Sequence, residues 1–178
     1  MRIIGGRLKG RRFDPPADHW PTRPTTDFAK EGLFNILNNL IDFEEVKALD
    51  LFGGTGSHSF ELISRGCPSV TYVDQFAPAL QFVKITAQKL DILDHLVLMK
   101  SDVQKYLQAK PGLFDYIFAG PPYPLLWLDK IPDLVFQNNV LKESGLFVLE
   151  HNPNHNFLTH PRFQNFRTYG KTFFSFFR

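Results

Sequence analysis

Apolar and polar positions along this chain of 178 residues alternate between two periods. Short apolar runs at 46–51, 70–73, 96–99, 115–119 and 146–150 read as buried strands. Between them, apolar residues three and four apart predict helices over 57–65, 77–90, 102–108 and somewhere in 128–140. Gly66 ends the first of these. An earlier helix over about 27–40 has Thr25, Thr26 and Asp27 as candidate N-caps. Its predicted apolar stripe is Phe28, Leu33, Phe34, Ile36, Leu37 and Leu40. Strand–helix alternation with apolar strands predicts a largely parallel α/β sheet covered on both faces. The segments 166–169 and 172–177 predict a buried edge hairpin turning at Gly170-Lys171. At the other end, 2–5 and 11–13 predict two short strands around Gly5-Gly6 and Gly10, a small β-ribbon. A proline-rich link follows, with Pro15-Pro16, Trp20-Pro21 and Arg23-Pro24. The expectation is one domain over 1–178, with ribbon and link at 1–26 and an α/β body at 27–178.

Composition narrows the class. With 43% hydrophobic and 21% charged residues, the chain has the balance of a folded globular protein. Nineteen phenylalanines are too many for an exposed surface, so most are expected in the core. A single cysteine, Cys67, excludes an internal disulfide and a cysteine-rich metal site. No apolar run reaches the length of a membrane span, and the first residues lack the apolar region of a signal peptide. A cytoplasmic monomer is expected. Net charge is +2, but Arg2, Arg7, Lys9, Arg11 and Arg12 place +5 in the first twelve residues and leave −3 on the rest. A basic arm on a mildly acidic body points to a polyanionic partner, over the alternative of a solvated edge ribbon.

The candidate chemistry lies after the strands. Asp50-Leu51-Phe52-Gly53-Gly54-Thr55-Gly56 follows the first body strand and precedes a helix. Glycines there let a ligand approach the backbone, and a helix N-terminus presents unpaired N–H groups. Asp74 ends the next strand, 20 positions after Gly54, the spacing of a carboxylate that grips ribose hydroxyls. Asp102 follows the third strand. Three acids after three successive strands line one edge of a crevice, although Asp74 and Asp102 also suit loop and helix caps. A pyrophosphate site is disfavoured, because Ser59 stands where Gly-x-Gly-x-x-Gly needs its third glycine. Carboxylates suit a ligand with ribose hydroxyls and positive charge, such as S-adenosylmethionine.

After the strand 115–119 comes Gly120-Pro121-Pro122-Tyr123-Pro124. Two prolines impose a rigid, extended backbone with an aromatic ring just beyond. This loop is similar to that of methyltransferases acting on nucleobase amines, where the first position is normally Asp or Asn.

From Met1 to Arg12, over Arg23 to Asn35, Asp50 to Gly56, Ser64 to Gly66, Pro121 to Tyr123 and Tyr169 to Thr172, the chain closely resembles the bacterial 16S rRNA guanine-N2 methyltransferases of the RsmD type. The resemblance runs nearly end to end. It implies a Rossmann-like class I fold, a mostly parallel seven-stranded sheet with an antiparallel last strand, and S-adenosylmethionine as donor. By that resemblance Asp50, Gly54, Thr55 and Gly56 flank the methionine part. Asp74 holds the ribose, Asp102 and Val103 contact the adenine, and Phe52 and Gln75 are further candidate cofactor-binding residues. Gly120, Pro121, Pro122 and Tyr123 form the catalytic target-base pocket. Arg2, Arg7, Lys9, Arg11, Arg12 and Arg23 contact 16S rRNA, free or in small-subunit assembly. No metal and no membrane are implied.

Gly120 lacks the acceptor side chain that such a loop uses on the amine. Losing one such acceptor typically costs on the order of 100- to 1,000-fold in rate. Three readings remain open: impaired turnover, a substitute acid elsewhere (Asp115 shares the strand but lies toward its far end), or a one-base change from an Asp codon. The rival functions are a catalytically silent RNA-binding module, a DNA adenine-N6 or cytosine-N4 methyltransferase, and more distantly a dehydrogenase. His151, His155 and His160 read as loop or surface histidines, because no acid cluster accompanies them and prolines interrupt the segment.

Overall fold

A computed structural model describes residues 1–16, 20 and 25–178. Seven strands and five helices follow one another in it: α1 (Asp27–Leu37), β1 (Lys47–Leu51), α2 (Ser57–Ser64), β2 (Ser69–Asp74), α3 (Ala77–Lys89), β3 (Leu96–Lys100), α4 (Val103–Gln108), β4 (Phe114–Ala119), α5 (Ile131–Gln137), β5 (Leu141–His151), β6 (Phe163–Tyr169) and β7 (Thr172–Phe177). The strands form one sheet in the order β3-β2-β1-β4-β5-β7-β6. Strands β1 to β5 pair in parallel, and β7 runs antiparallel to both β5 and β6. This is the expected Rossmann-like sheet with its last strand reversed. The chain winds outward from β1 to β3, then crosses to β4 on the other side of β1. That reversal opens a crevice at the carboxyl ends of β1 and β4, the place where open α/β sheets take ligands.

Alternation along the strands splits the core into two layers. Ala48, Tyr116, Phe118, Leu146 and Val148 face α1, α2 and α3 together with Phe34, Phe60 and Val83. Leu49, Leu51, Ile117, Ala119, Phe147 and Leu149 face α4 and α5 with Leu107 and Val135. Phe174 and Phe176 join the first layer and Phe177 the second. The phenylalanine-rich run is therefore a covered strand, with β6 outside it as the exposed edge.

Three expectations need correction. The helix expected to reach residue 40 ends at Leu37, and Phe28 and Leu40 stay exposed, so the stripe of α1 is narrower than predicted. Its buried face includes Ala29 and Lys30 instead. The strand expected over 146–150 starts earlier, at Leu141, because a register shift near Phe114 lets the preceding residues pair as well. The N-terminal ribbon forms, but too short for two full strands: an antiparallel bridge joins Arg2 and Arg12, and backbone N–H groups of Ile3, Gly10 and Phe13 donate across it to the carbonyls of Arg11, Ile3 and Met1 at 2.9, 2.8 and 3.2 Å. Other backbone donors of the arm turn to α2: Ile4 and Gly5 donate to the Glu61 carboxylate, both at 2.8 Å, and Leu8 to Ser64 Oγ at 3.0 Å. Gly6 has φ +74 and lies so near Ser64 that a Cβ would come within 1.8 Å of its carbonyl oxygen, so only glycine allows this approach. The arm thereby covers the polar face of α2, which is buried all round.

Candidate active site

Strand β1 turns into α2 through Phe52–Gly56. Gly53 packs so closely on the Tyr72 ring that a Cβ would lie 2.2 Å from it. The Tyr72 hydroxyl donates to the Gly54 carbonyl at 2.7 Å, and Gly53 N–H to the Val73 carbonyl at 3.1 Å. The loop is thus laid on β2. Phe52, a non-glycine residue at φ 59, sits between two clefts. Strained backbone of this kind gathers at ligand-binding turns.

The first cleft is lined by Thr25, Asp50, Phe52 to Thr55, His58 and Gly120. Asp50 is 1% exposed and accepts from Ser59 Oγ at 2.5 Å. Burial pushes its carboxyl pKa up to about 7, opposed by the Ser59 hydrogen bonds and reinforced by the charge of Asp74. Beside it His58 stacks on Phe118 at 3.8 Å and meets the Tyr116 hydroxyl at 3.0 Å. Burial holds its pKa well below the usual value, so the ring is neutral.

The second cleft, about 160 Å³ in volume, is lined by Phe52, Asp74, Gln75, Phe76, Ser101, Asp102, Val103, Pro122, Leu125 and Trp127. Apolar walls with a few convergent polar groups are the make-up of small-molecule sites. Asp74 accepts from Gly54 N–H and Phe76 N–H, both at 2.8 Å. Each oxygen carries one donor, which leaves carboxylate lone pairs for further donors. Asp102 is the N-cap of α4, accepting from Lys105 N–H at 3.0 Å, in line with the capping alternative. It and Val103 nevertheless line the cleft.

The proline loop separates the two clefts. Gly120 N–H donates to the Leu51 carbonyl at 3.2 Å, which ties the loop to β1. Pro121 is buried, and Leu125 N–H donates to the Pro122 carbonyl at 2.9 Å. A Cβ at Gly120 would meet Phe118 at 3.1 Å, and φ there is outside the left-handed region. A side chain therefore fits once the Phe118 ring yields by a few tenths of an ångström. Asp115 cannot replace it: it accepts from Lys47 N–H and Lys142 Nζ at the opposite end of β4.

An acid that sequence reading missed stands beside this loop. Glu150, 4% exposed near the end of β5, accepts from the Tyr123 hydroxyl at 3.0 Å and from Thr25 Oγ1 at 2.5 Å. Burial raises its pKa, and both hydroxyl hydrogen bonds lower it. Its only sequence signal is an acid at the close of an apolar strand.

The basic arm is anchored by buried charge. Lys30 Nζ donates to the Arg2 carbonyl at 2.7 Å and to Ser57 Oγ at 2.9 Å, and lies 3.6 Å from Glu61. Desolvation lowers its pKa, offset in part by Glu61 and Asp27. Arg65 closes the other side of Glu61 at 2.9 Å. Arg2, Arg7, Lys9, Arg11 and Arg12 are all exposed, and Arg2 also reaches to 3.8 Å from Asp27. Arg23 lies outside the described residues. His151 bonds Ser175 at 2.8 Å, while His155 and His160 approach Asp129 and Asp133 at 2.6 and 3.3 Å.

The family described as Conserved hypothetical protein 95 matches residues 1–178. The ribosomal RNA small subunit methyltransferase D of Haemophilus influenzae is 33% identical over 157 residues, spanning 84% of this chain and 78% of its own. A hypothetical protein of Thermus thermophilus superposes with a TM-score of 0.86 at 23% identity, over 100% of this chain and 99% of that one. The T. thermophilus 16S rRNA N2 G1207 methyltransferase RsmC, solved with AdoMet and guanosine, superposes at 0.67 and 20% identity over 86% of this chain and 43% of its own. The two superpositions establish a shared fold, and the end-to-end sequence match establishes descent: the chain belongs to the Conserved hypothetical protein 95 family, the RsmD-type class I methyltransferases.

Proposed function

We propose that this protein transfers a methyl group from S-adenosylmethionine to the exocyclic N2 amine of a guanine in small-subunit rRNA. The observation that carries this reading is the meeting of two clefts and the proline loop at Phe52 and Gly120. The residues present suit the donor. Asp50 is a buried carboxylate with no ion-pair partner among the described residues, which favours a cationic amino-acid end in the first cleft. Asp74 offers carboxylate lone pairs for ribose hydroxyls, with Gln75 at its side, and Phe52, Val103 and Trp127 offer apolar walls for a purine. The relatives' names support rRNA as the substrate.

When bound, S-adenosylmethionine supplies a methyl group already activated on a sulfonium, so alignment dominates the barrier. The Pro121 carbonyl would accept one N–H of the amine, localising its lone pair and stabilising the positive charge that develops on nitrogen. The Tyr123 ring would stack on a base drawn out of its neighbours. Exposed Arg7, Lys9, Arg11 and Arg12 would hold phosphates, with Arg2 and Arg23 as further candidates. Gly120 offers no second acceptor, and this favours one alternative, a slow or silent enzyme that still binds donor and RNA.

The deciding experiment is methyl transfer to unmodified small subunits by this chain and by Gly120→Asp, with nucleoside analysis of the product. N2-methylguanine formed by the variant about tenfold or more faster supports the reading, a cautious fraction of the usual acceptor effect. Equal rates would remove position 120 from the acceptor role. No binding of S-adenosylmethionine by calorimetry, with tight NAD binding instead, would overturn the function.

A further inference from the structure

Glu150 stands where the missing side chain at Gly120 draws attention. Strands β4 and β5 pair in parallel, and Ala119 lies opposite Leu149 at the end of that register. The next residues on the two strands are Gly120 and Glu150. Neighbouring strands are about 4.8 Å apart, and residues in register point to the same face. Phe118 and Val148, two residues earlier on each strand, both face the layer of α1. Glu150 leaves the sheet on that face too, since it meets Thr25 beside the start of α1.

Burying a carboxylate is costly unless its oxygens are hydrogen-bonded. Here one oxygen takes the hydroxyl of Tyr123 in the proline loop, and the other that of Thr25. Thr25 lines the first cleft together with Asp50 and Gly120. One buried side chain thus connects the ring beside the target base with the wall of the donor cleft. An apolar residue would satisfy this position in β5 at less cost, so core packing alone does not account for a carboxylate here.

We propose that Glu150 is a positioning residue: it fixes the Tyr123 ring against Thr25, and so sets the target-base pocket relative to the donor cleft. The proposal rests on the base-methylation reading for its kinetic consequence, and on geometry alone for its structural one. A misplacement of about 1 Å in such a pocket costs on the order of 100-fold in rate.

The test compares Glu150→Leu, Glu150→Gln and Tyr123→Phe, singly and combined. In methyl transfer to small subunits, Glu150→Leu should lower kcat roughly 10- to 100-fold with KM for the donor nearly unchanged. Glu150→Gln keeps an acceptor for the tyrosine and a hydrogen-bonding amide for the threonine, and should restore most of the loss. In the Tyr123→Phe background, Glu150→Leu should add little, because the two act as one unit. Full additivity, or a raised donor KM with kcat intact, would overturn the proposal. A second readout needs no substrate: hydrogen exchange at the Leu125 amide, which bonds Pro122 within the loop. Exchange there should quicken in Glu150→Leu and Tyr123→Phe but not in Glu150→Gln, with β1 and β4 unchanged. An unaltered loop would refute the positioning role even if rRNA were not the substrate. Should Glu150→Leu fail to fold, Glu150→Gln and Tyr123→Phe decide by the same exchange measurement, since only the latter should loosen the loop.

Discussion

Asp50 and Gly120 are the two residues whose chemistry is most sensitive to a single atom. Asp50 is nearly inaccessible, and burial first of all raises its pKa to about 7. Without ligand, the folded chain therefore holds a proton that the unfolded chain releases near 3.8. Its favourable contribution is complete below that value and is lost as the pH rises through about 7. Affinity for a cationic ligand runs the other way, since only the carboxylate attracts it. S-Adenosylhomocysteine, whose amine stays protonated over this range, should bind about tenfold more tightly at about pH 8 than at about pH 6. Asp50→Asn should flatten that dependence, and a profile equally steep in the variant, read by calorimetry, would assign the titration to another group. Asp50 and its glycine loop were legible from local spacing alone. The room for a side chain at Gly120 was not, because it depends on where the Phe118 ring lies.

At the scale of elements, α2 and the arm stabilise one another. A helix with Ser57, His58, Ser59, Glu61 and Ser64 reads as half polar, yet every residue of it is buried. The polar groups are covered because the arm delivers backbone donors and acceptors to them, and Lys30 from α1 adds its charge. Removing one partner of such a cluster leaves others buried and unpaired, typically at about 3–5 kcal/mol. Glu61→Ala should therefore lower Tm by roughly 6–20 °C in a chain of this size. A fall of under about 3 °C in thermal unfolding would mean that Glu61 does not hold the arm. Sequence periodicity predicted this helix nearly to the residue. It gave no sign of the partner, since the arm lies 56 and 57 positions away along the chain.

For the whole molecule, the charge asymmetry has a place in space. The arm sits on the body through Ile3, 1% exposed in the core, and presents Arg7, Lys9, Arg11 and Arg12 outward. Deleting residues 1–12 would thus damage the fold as well as the charge. Changing those four exposed residues to Gln is the cleaner test. The salt slope of binding to small-subunit rRNA should flatten by up to roughly 3, with donor affinity kept. An unaltered slope would remove the arm from the RNA interface. What the sequence determined by itself was the order of elements, the fold class and the acids that follow β1, β2 and β3, because each is written in a few neighbouring residues. What the tertiary structure alone decided was which distant groups share a site. Thr25, Tyr123 and Glu150 meet because β5 lies beside β4 and α1 starts above them, and a 125-residue separation carries no local trace of that contact.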